Sequence, residues 1–296
     1  MESFPREIDV LVRSAQQRHS IHGAHPHVLG MRMPHGAFKR VHENVLVCSP
    51  ELCVTQMAPS LTPIELSLLT CSLAGRYFPA DCPKGFVETK GITSIASIER
   101  FLALVPPHTR GTKLCRKPVR TALGGSRSPM ESATALLLTM DRRDGGYHLP
   151  RPELNHRVEL GRAARAIAKT DHFIIDLYWP QIRFGLEYNG FEYHTDVARD
   201  LRRELALSEE GITIQTIALE QVLNQTQLRS VVRRVAGLHG LRLRRPPAGC
   251  LQARTKLIGE LLPWSYGTGA FRRPIYALPE ELCTMHDLTR TPHSQN

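Results

Sequence analysis

The sequence predicts a mixed α/β (α+β) fold, and three features from Ser128 onward predict it. Phe173 to Trp179 is rich in β-branched and aromatic residues, Pro180 breaks it, and Phe184 to Asn189 reads as a second strand. LNHRVEL, Leu154 to Leu160, alternates apolar and polar residues as a half-buried strand does. Helical patterns stand before these strands and on either side of ITIQTIAL, Ile212 to Leu219, so the order is α, β, β, β, α, β, α. Strands joined by short turns suggest antiparallel pairing, whereas a helix between the last two permits a parallel crossover. The expected product is a mixed sheet with helices on both faces.

The elements follow from local chemistry. Met1 to about Gly30 reads as an amphipathic helix (Ile8, Leu11, Val12, Ala15) and then a polar loop carrying His19, His22, His25 and His27, with His35 and His42 beyond. No Cys or carboxylate completes a metal-ligand spacing among these histidines, so a solvated loop is expected. Val45 to Val47 suggests a short strand. Two helices follow, with Ser49 and Thr62 as N-caps, each preceding a proline at the first helical position. Tyr77 to Gly91 reads as a loop from its Pro, Gly and Asp content, and Thr93 to Leu104 as a helix.

Thr109 to Ser128 carries Arg110, Lys113, Arg116, Lys117, Arg120 and Arg127 without one acidic residue. It is either a solvated basic segment or a phosphate-contacting arm. In SPMESATALLLTM, Ser128 is the N-cap, Pro129 the first helical residue and Glu131 the third, a capping-box arrangement. Gly161 to Thr170 reads as a small-residue turn. After the two acid-bearing strands, a helix is capped by Thr195 or Asp196 and ended by Gly211, and another runs from Glu220 to Leu238. Leu251 to Leu262 forms a last helix before an irregular tail. Three regions result: a mostly helical 1–120, a compact 121–240 and a basic extension 241–296.

The chain has 296 residues and a formal net charge of +10, a balance that favours polyanionic partners, nucleic acid foremost, without constraining fold. No apolar run is long enough for a membrane span, and the first residues lack a signal-peptide pattern, so no membrane association is expected. The seven cysteines are scattered without a CxxC pair, which argues against a zinc site or disulfide framework and fits a reducing cytoplasm.

The chemistry centres on Asp176 and Glu187, two carboxylates in apolar strands, where acids rarely stand unpartnered. Residues two apart in a strand share a face, so Glu187 and Asn189 point together and Tyr188 opposite. With Asp176 across from them, the three make an oxygen-rich cluster suited to Mg²⁺, which takes one or two carboxylates plus water and substrate phosphate. Hydrolysis of a phosphodiester is the natural reaction of such a centre. The alternative is a structural carboxylate pair balanced by Arg183 or another nearby arginine.

The order of elements and the pieces SPMES, PRPELN, DLYWP, EYNGFEYH, RDLRRELAL and GITIQTIALEQV resemble the PD-(D/E)XK nuclease superfamily. More closely, Ser128 to about Leu238 is similar to a bacterial family of unknown function related to the very-short-patch-repair endonucleases. The resemblance implies a restriction-endonuclease-like αβββαβ core and a metal-dependent DNA endonuclease using Mg²⁺, with Mn²⁺ as a substitute. By position, Asp176 and Glu187 match the metal-binding acids, and Glu131 the acid on the first helix. His194 matches the histidine after the third strand, and Asp200 and Arg203 the helical D-x-x-R. Asn189 stands where the superfamily has Lys. Asn offers a carbonyl oxygen or a donor but takes no proton, and His194 is the candidate general base in its place. Arg127, Arg199, Arg202 and Arg203 are the candidate DNA contacts, and the basic segments Arg110 to Arg127 and Arg242 to Arg245 would hold the backbone electrostatically. A second function class, a nuclease-fold module that binds DNA or regulates without efficient cleavage (an antitoxin, for example), follows from Asn189. A partner protein from a defence or repair system fits either class.

Overall fold

The computed structural model describes residues 8–80, 82, 85–189, 197–243 and 245–262. The first two strands, β1 (Ile8–Val12) and β2 (Ala24–Val28), pair in parallel. This corrects the expected N-terminal helix. Ile8, Val10 and Val12 also satisfy a period of two, and their β-branched character favours the extended form over so short a window. His25 and His27 therefore lie on a strand, with the His27 ring 2.6 Å from Asp9.

β3 (Phe38–His42) and β4 (Val45–Cys48) form an antiparallel hairpin, and α1 (Pro50–Met57) and α2 (Pro63–Leu73) follow with the caps the sequence indicates. Ser49 Oγ accepts from the Leu52 N–H. At α2 the capping box is complete: Thr62 Oγ1 accepts from the Glu65 N–H, and the Glu65 carboxylate accepts from the Thr62 N–H.

The Tyr77 to Gly91 stretch is not a bare loop. Its ends pair as β5 (Tyr77–Pro79) and β6 (Phe86–Glu88), and only the residues between them turn. Buried Tyr77 anchors the hairpin by donating its hydroxyl to Ser132 Oγ at 3.0 Å. α3 (Ile95–Leu104) begins at Ser94, and α4 (Thr112–Thr121) forms inside the basic segment. α4 buries Thr112, Cys115, Pro118 and Val119 and exposes Lys113, Arg116, Lys117 and Arg120, with Lys117 Nζ 2.7 Å from Asp144.

The central sheet is built by β7 (Glu153–Glu159), β8 (His172–Trp179), β9 (Phe184–Asn189) and β10 (Thr213–Ala218), in the order β10-β9-β8-β7. β7–β8 and β8–β9 are antiparallel and β9–β10 is parallel, the mixed sheet that the element order implies. α5 (Pro129–Thr139) precedes it, and α7 (Val197–Glu209) makes the crossover between β9 and β10. The expected caps of α7, Thr195 and Asp196, lie outside the described residues. Gly211 ends α7 at a φ of +67°, as its position suggests.

Two features differ from the expected order. Gly161 to Thr170 contains a helix, α6 (Arg162–Ala168), because RAARAIA is made of strong helix formers despite its small side chains. The helix expected from Glu220 to Leu238 is broken into α8 (Leu219–Leu223) and α9 (Gln225–Leu238), since the Asn224 side chain accepts from the Thr226 and Gln227 N–H groups and starts a new helix.

Alternate residues of the sheet face two hydrophobic clusters. Leu177, Trp179, Phe184, Leu186 and Ile217 pack with α5, α9 and α10 (Cys250–Leu261), and Cys71 of α2 joins them. Val158, Ile175, Tyr178, Ala206 and Leu207 form the smaller cluster under α6 and α7. α10 is tied down by Arg254, buried and donating to the Gly145 and Gly146 carbonyls at 2.8 and 3.2 Å, with its guanidinium 3.8 Å from the Tyr147 ring centre. Of the second basic segment, Arg242 and Arg245 are exposed and Arg244 lies outside the described residues. No helix among the described residues is long and apolar enough to cross a membrane.

Leu186 is fully buried at the centre of the larger cluster. Leu186→Ala is expected to lower the unfolding free energy by about 2–5 kcal/mol in urea titrations, the range for a leucine removed from a rigid core.

Candidate active site

The site forms where the ladder between β8 and β9 stops. The paired residues are Trp179 with Phe184, Tyr178 with Gly185, and Leu177 with Leu186. The next pair in that register would be Asp176 with Glu187, and it is not made. The Tyr188 N–H instead donates to Asp176 Oδ2 at 2.9 Å, a carboxylate taking the place of a backbone carbonyl.

Alternation along β8 slips at the same point, since Ile175 packs in the smaller cluster and Leu177 in the larger. On the other neighbour, β7 pairs Leu154 with Leu177 and His156 with Ile175, which sets Asn155 beside Asp176. Asn155 has a φ of +48°, a left-handed conformation that Asn tolerates better than most residues. An irregular backbone on both sides of Asp176 thus opens the sheet at one level, where Asp176 and Glu187 line the same groove.

Glu131 approaches from α5. Ser128 Oγ caps its N–H at 3.2 Å, but the return half of the expected capping box is displaced. Glu131 Oε2 accepts instead from the Arg127 N–H at 2.8 Å and from Asn155 Nδ2 at 2.5 Å. The contrast with Glu65 shows that the cap alone does not need this arrangement. Burial raises the Glu131 carboxyl above its ordinary value, against the downward pull of these hydrogen bonds. Asp176 is pushed up to about 7, first by burial and then by the charge of Glu131, with Glu187 adding to the rise; the Tyr188 N–H and Arg203 oppose it.

Glu187 has a counter-ion. Arg203 of α7 pairs with Glu187 Oε1, donates to the Ile174 carbonyl at 2.8 Å and lies with its guanidinium carbon 4.6 Å from the Phe173 ring centre. Arg203 therefore balances the acids rather than pairing with Asp200 one turn earlier. Arg183, the other arginine considered for this role, donates to the Glu210 carbonyl and serves the start of β10.

Asp176, Glu187 and Asn189 line one groove with Arg199, Asp200, Arg202 and Arg203 of α7, with Lys169 from the turn after α6 and with His172 at the start of β8. Arg127, the remaining expected DNA contact, is engaged by Glu88 of β6 at 2.5 Å. His194 lies outside the described residues.

Among the described residues no three His, Cys, Asp or Glu side chains are grouped closely enough to hold a metal ion. Glu131 is turned toward Arg127 and Asn155 and does not complete a three-acid set. The donor chemistry of the remaining pair still fits a hard divalent cation. Asp176 and Glu187 are oxygen donors lining one groove, and Mg²⁺ commonly takes no more than two carboxylates from the protein.

Protein-family models, curated proteins and solved structures offer no match to this chain. The geometry carries the functional argument by itself.

Asn155, Lys169, His172 and Phe173 were not expected at the site. Asn155 alone left a trace in the sequence, as an amide in an otherwise strand-like alternation, where Asn is disfavoured.

The shift at Asp176 has a defined sign. Its folded value of about 7 lies above the ordinary 3.8, so its contribution to stability is full below about 3.8 and is lost as the pH rises through 7. In metal-free buffer at pH 8, Asp176→Asn is expected to melt roughly 2–6 °C above the wild type, the advantage shrinking toward pH 5. Calorimetry across this range checks it, and equal melting temperatures at pH 8 would show that the carboxylate is not strained by its neighbours.

Proposed function

We propose that the chain is a metal-dependent DNA endonuclease of the very-short-patch-repair-like type, with α5, the central sheet and α7 forming a restriction-endonuclease-like core. The observation that carries this reading is the opened end of the β8–β9 ladder, where Asp176 and Glu187 line one groove with cationic rims. Sheets give up backbone pairing at functional sites more readily than elsewhere. Shifted acids cluster at sites built for chemistry, and Asp176, pushed up to about 7 by burial and its acidic neighbours, lies in such a groove.

In this reading Asp176 and Glu187 hold Mg²⁺ or Mn²⁺. The bound ion supplies charge neutralisation at the phosphodiester and lowers the pKa of water. The protein does the rest. The Tyr188 N–H orients Asp176 through Oδ2, and Arg203 fixes the Glu187 carboxylate through Oε1. Glu131, locked by Arg127 and Asn155, keeps negative charge behind Asp176 and so strengthens the demand for a cation. Asn189 presents an amide to the substrate phosphate, and Arg199 and Arg202 draw the backbone into the groove. His194 is assigned the role of proton acceptor. The exposed cations of α4 add longer-range attraction for the polyanion.

A second reading, a nuclease-fold module that binds DNA or regulates without efficient cleavage, is favoured by two observations. Arg203 already engages Glu187, which weakens that carboxylate as a metal ligand, and Asn189 provides no titratable group.

Nicking of supercoiled plasmid in Mg²⁺, Mn²⁺ or EDTA separates the two. The expected result is metal-dependent nicking by the wild type, reduced at least ~100-fold in Asp176→Ala and in Glu187→Ala, the scale on which loss of a central electrostatic contact acts. Salt-sensitive DNA binding without nicking by the wild type establishes the second reading. Nicking that survives in both variants places the activity elsewhere.

A further inference from the structure

α6 was not expected from the sequence, and the turn that follows it supplies a rim of the groove. The helix ends at Lys169, whose backbone N–H donates to the Arg165 carbonyl at 2.9 Å while the residue adopts φ +58° and ψ +27°. This is the left-handed position that closes many helices. Glycine usually occupies it, because a Cβ crowds the neighbouring carbonyl there. Lysine is a poor choice for the turn alone.

The C-terminal end of α6 favours a cation in general, but no group of the turn holds this one. Lys169 is exposed, and among the described residues its ammonium makes no ion pair or hydrogen bond, yet it lines the groove. Its neighbours arrange the turn without it. The Thr170 hydroxyl donates to the His172 carbonyl at 3.4 Å, and the carboxylate of Asp171 lies 3.7 Å from Arg165 and does not line the groove. His172 pairs with Glu159 at the end of the β7–β8 ladder, and it too lines the groove.

Charge distinguishes this rim from the other. α7 lines the groove with Arg199, Arg202 and Arg203 but also with Asp200 and Glu204. The turn after α6 contributes Lys169 and Thr170, and His172 opens β8 beside them, with no acid among the three. Below both rims lie Asp176 and Glu187, which repel a polyanion. A strand entering the groove meets at Lys169 a positive charge on a rim that brings no acid into the lining.

We propose that the turn after α6 is a phosphate-binding rim in which Lys169, supported by Thr170 and His172, grips the backbone of a nucleic-acid strand as it crosses the Asp176–Glu187 pair. Lys169 is a binding and positioning residue, not a catalytic one. The inference rests on the nucleic-acid reading of the site and names a substrate contact that neither the sequence pattern nor the resemblance supplies. It also explains the strained lysine: the left-handed turn projects the side chain over the groove at a cost to the fold.

The test is fluorescence anisotropy with labelled single-stranded and duplex oligonucleotides in EDTA, over a salt series, beside thermal melting of each variant. Lys169→Ala keeps the backbone strain and removes the charge. Lys169→Gly removes both. Both are expected to weaken binding about three- to tenfold at low salt and to reduce the slope of log affinity against log salt by about one, the signature of one lost phosphate contact. Lys169→Gly is expected to melt at or slightly above the wild-type temperature, so that binding falls while the fold does not. His172→Ala is expected to weaken binding about twofold.

Wild-type binding that is unchanged in both Lys169 variants overturns the proposal and leaves the nucleic-acid reading standing. A Lys169→Gly variant that loses binding only as it loses stability also overturns it, because the lysine then serves the turn. A wild type that binds neither oligonucleotide overturns the nucleic-acid reading, and this inference with it.

Discussion

One missing pair of ladder hydrogen bonds organises the site. β8 and β9 run together through Leu177 and Leu186 and then stop, although both strands continue. Each keeps its outer neighbour, β7 or β10, so the opening is local and the sheet survives it. The Tyr188 N–H would otherwise be an unpaired donor, and Asp176 Oδ2 satisfies it. The same contact orders a carboxylate that the adjoining apolar residues would not tolerate unpartnered. Asn155 completes the arrangement from the other side, its left-handed backbone beside Asp176 and its amide on Glu131.

The three acids end in different electrostatic situations because each meets different neighbours. Glu187 has the Arg203 guanidinium, itself held by the Ile174 carbonyl and the Phe173 ring. Glu131 is bonded by a backbone N–H and an amide with the Arg127 charge near it, and burial raises it against their pull. Asp176 is buried beside two acids with one backbone N–H and the more distant pull of Arg203 against them, and it is pushed up to about 7. An arrangement selected for stability alone would exchange one of these carboxylates for an amide. A chain tolerates such a conflict where its function needs it and offsets the cost elsewhere. Here the offset is the larger hydrophobic cluster, which clamps the paired half of β8 and β9 through Leu177, Trp179, Phe184 and Leu186.

That cluster is not confined to the elements around the sheet. Cys71 belongs to it, Ile64 and Leu68 of α2 pack against it, and Arg254 fixes α10 over the turn before β7. The Tyr77 hydroxyl reaches Ser132 on α5, next to Glu131 in sequence. The region before residue 120 therefore supports the helix that carries Glu131. This is a structural role which its own sequence, read as a separate leader, does not announce.

Much of this was legible in the sequence, for reasons that can be named. Ser49, Thr62 and Ser128 place helix starts because a hydroxyl beside free N–H groups acts over a few residues. Strand alternation put Glu187 and Asn189 on one face, and two acids in apolar strands marked the centre of the site. Where periods of two and 3.6 coincide over a short run, as at Ile8 to Val12, the sequence pattern pointed to a helix and the chain forms a strand. Partnership was beyond it as well: that Arg203 rather than Arg183 meets Glu187, that Glu131 turns to Asn155 instead of completing its cap, and that a lysine after an unforeseen helix reaches the groove. The sequence by itself determined which residues can carry charge or start a helix, because those properties are local. Only the tertiary structure decided which charges meet, because register, the break in the β8–β9 ladder and the packing of α6 and α7 bring together residues that the chain keeps far apart.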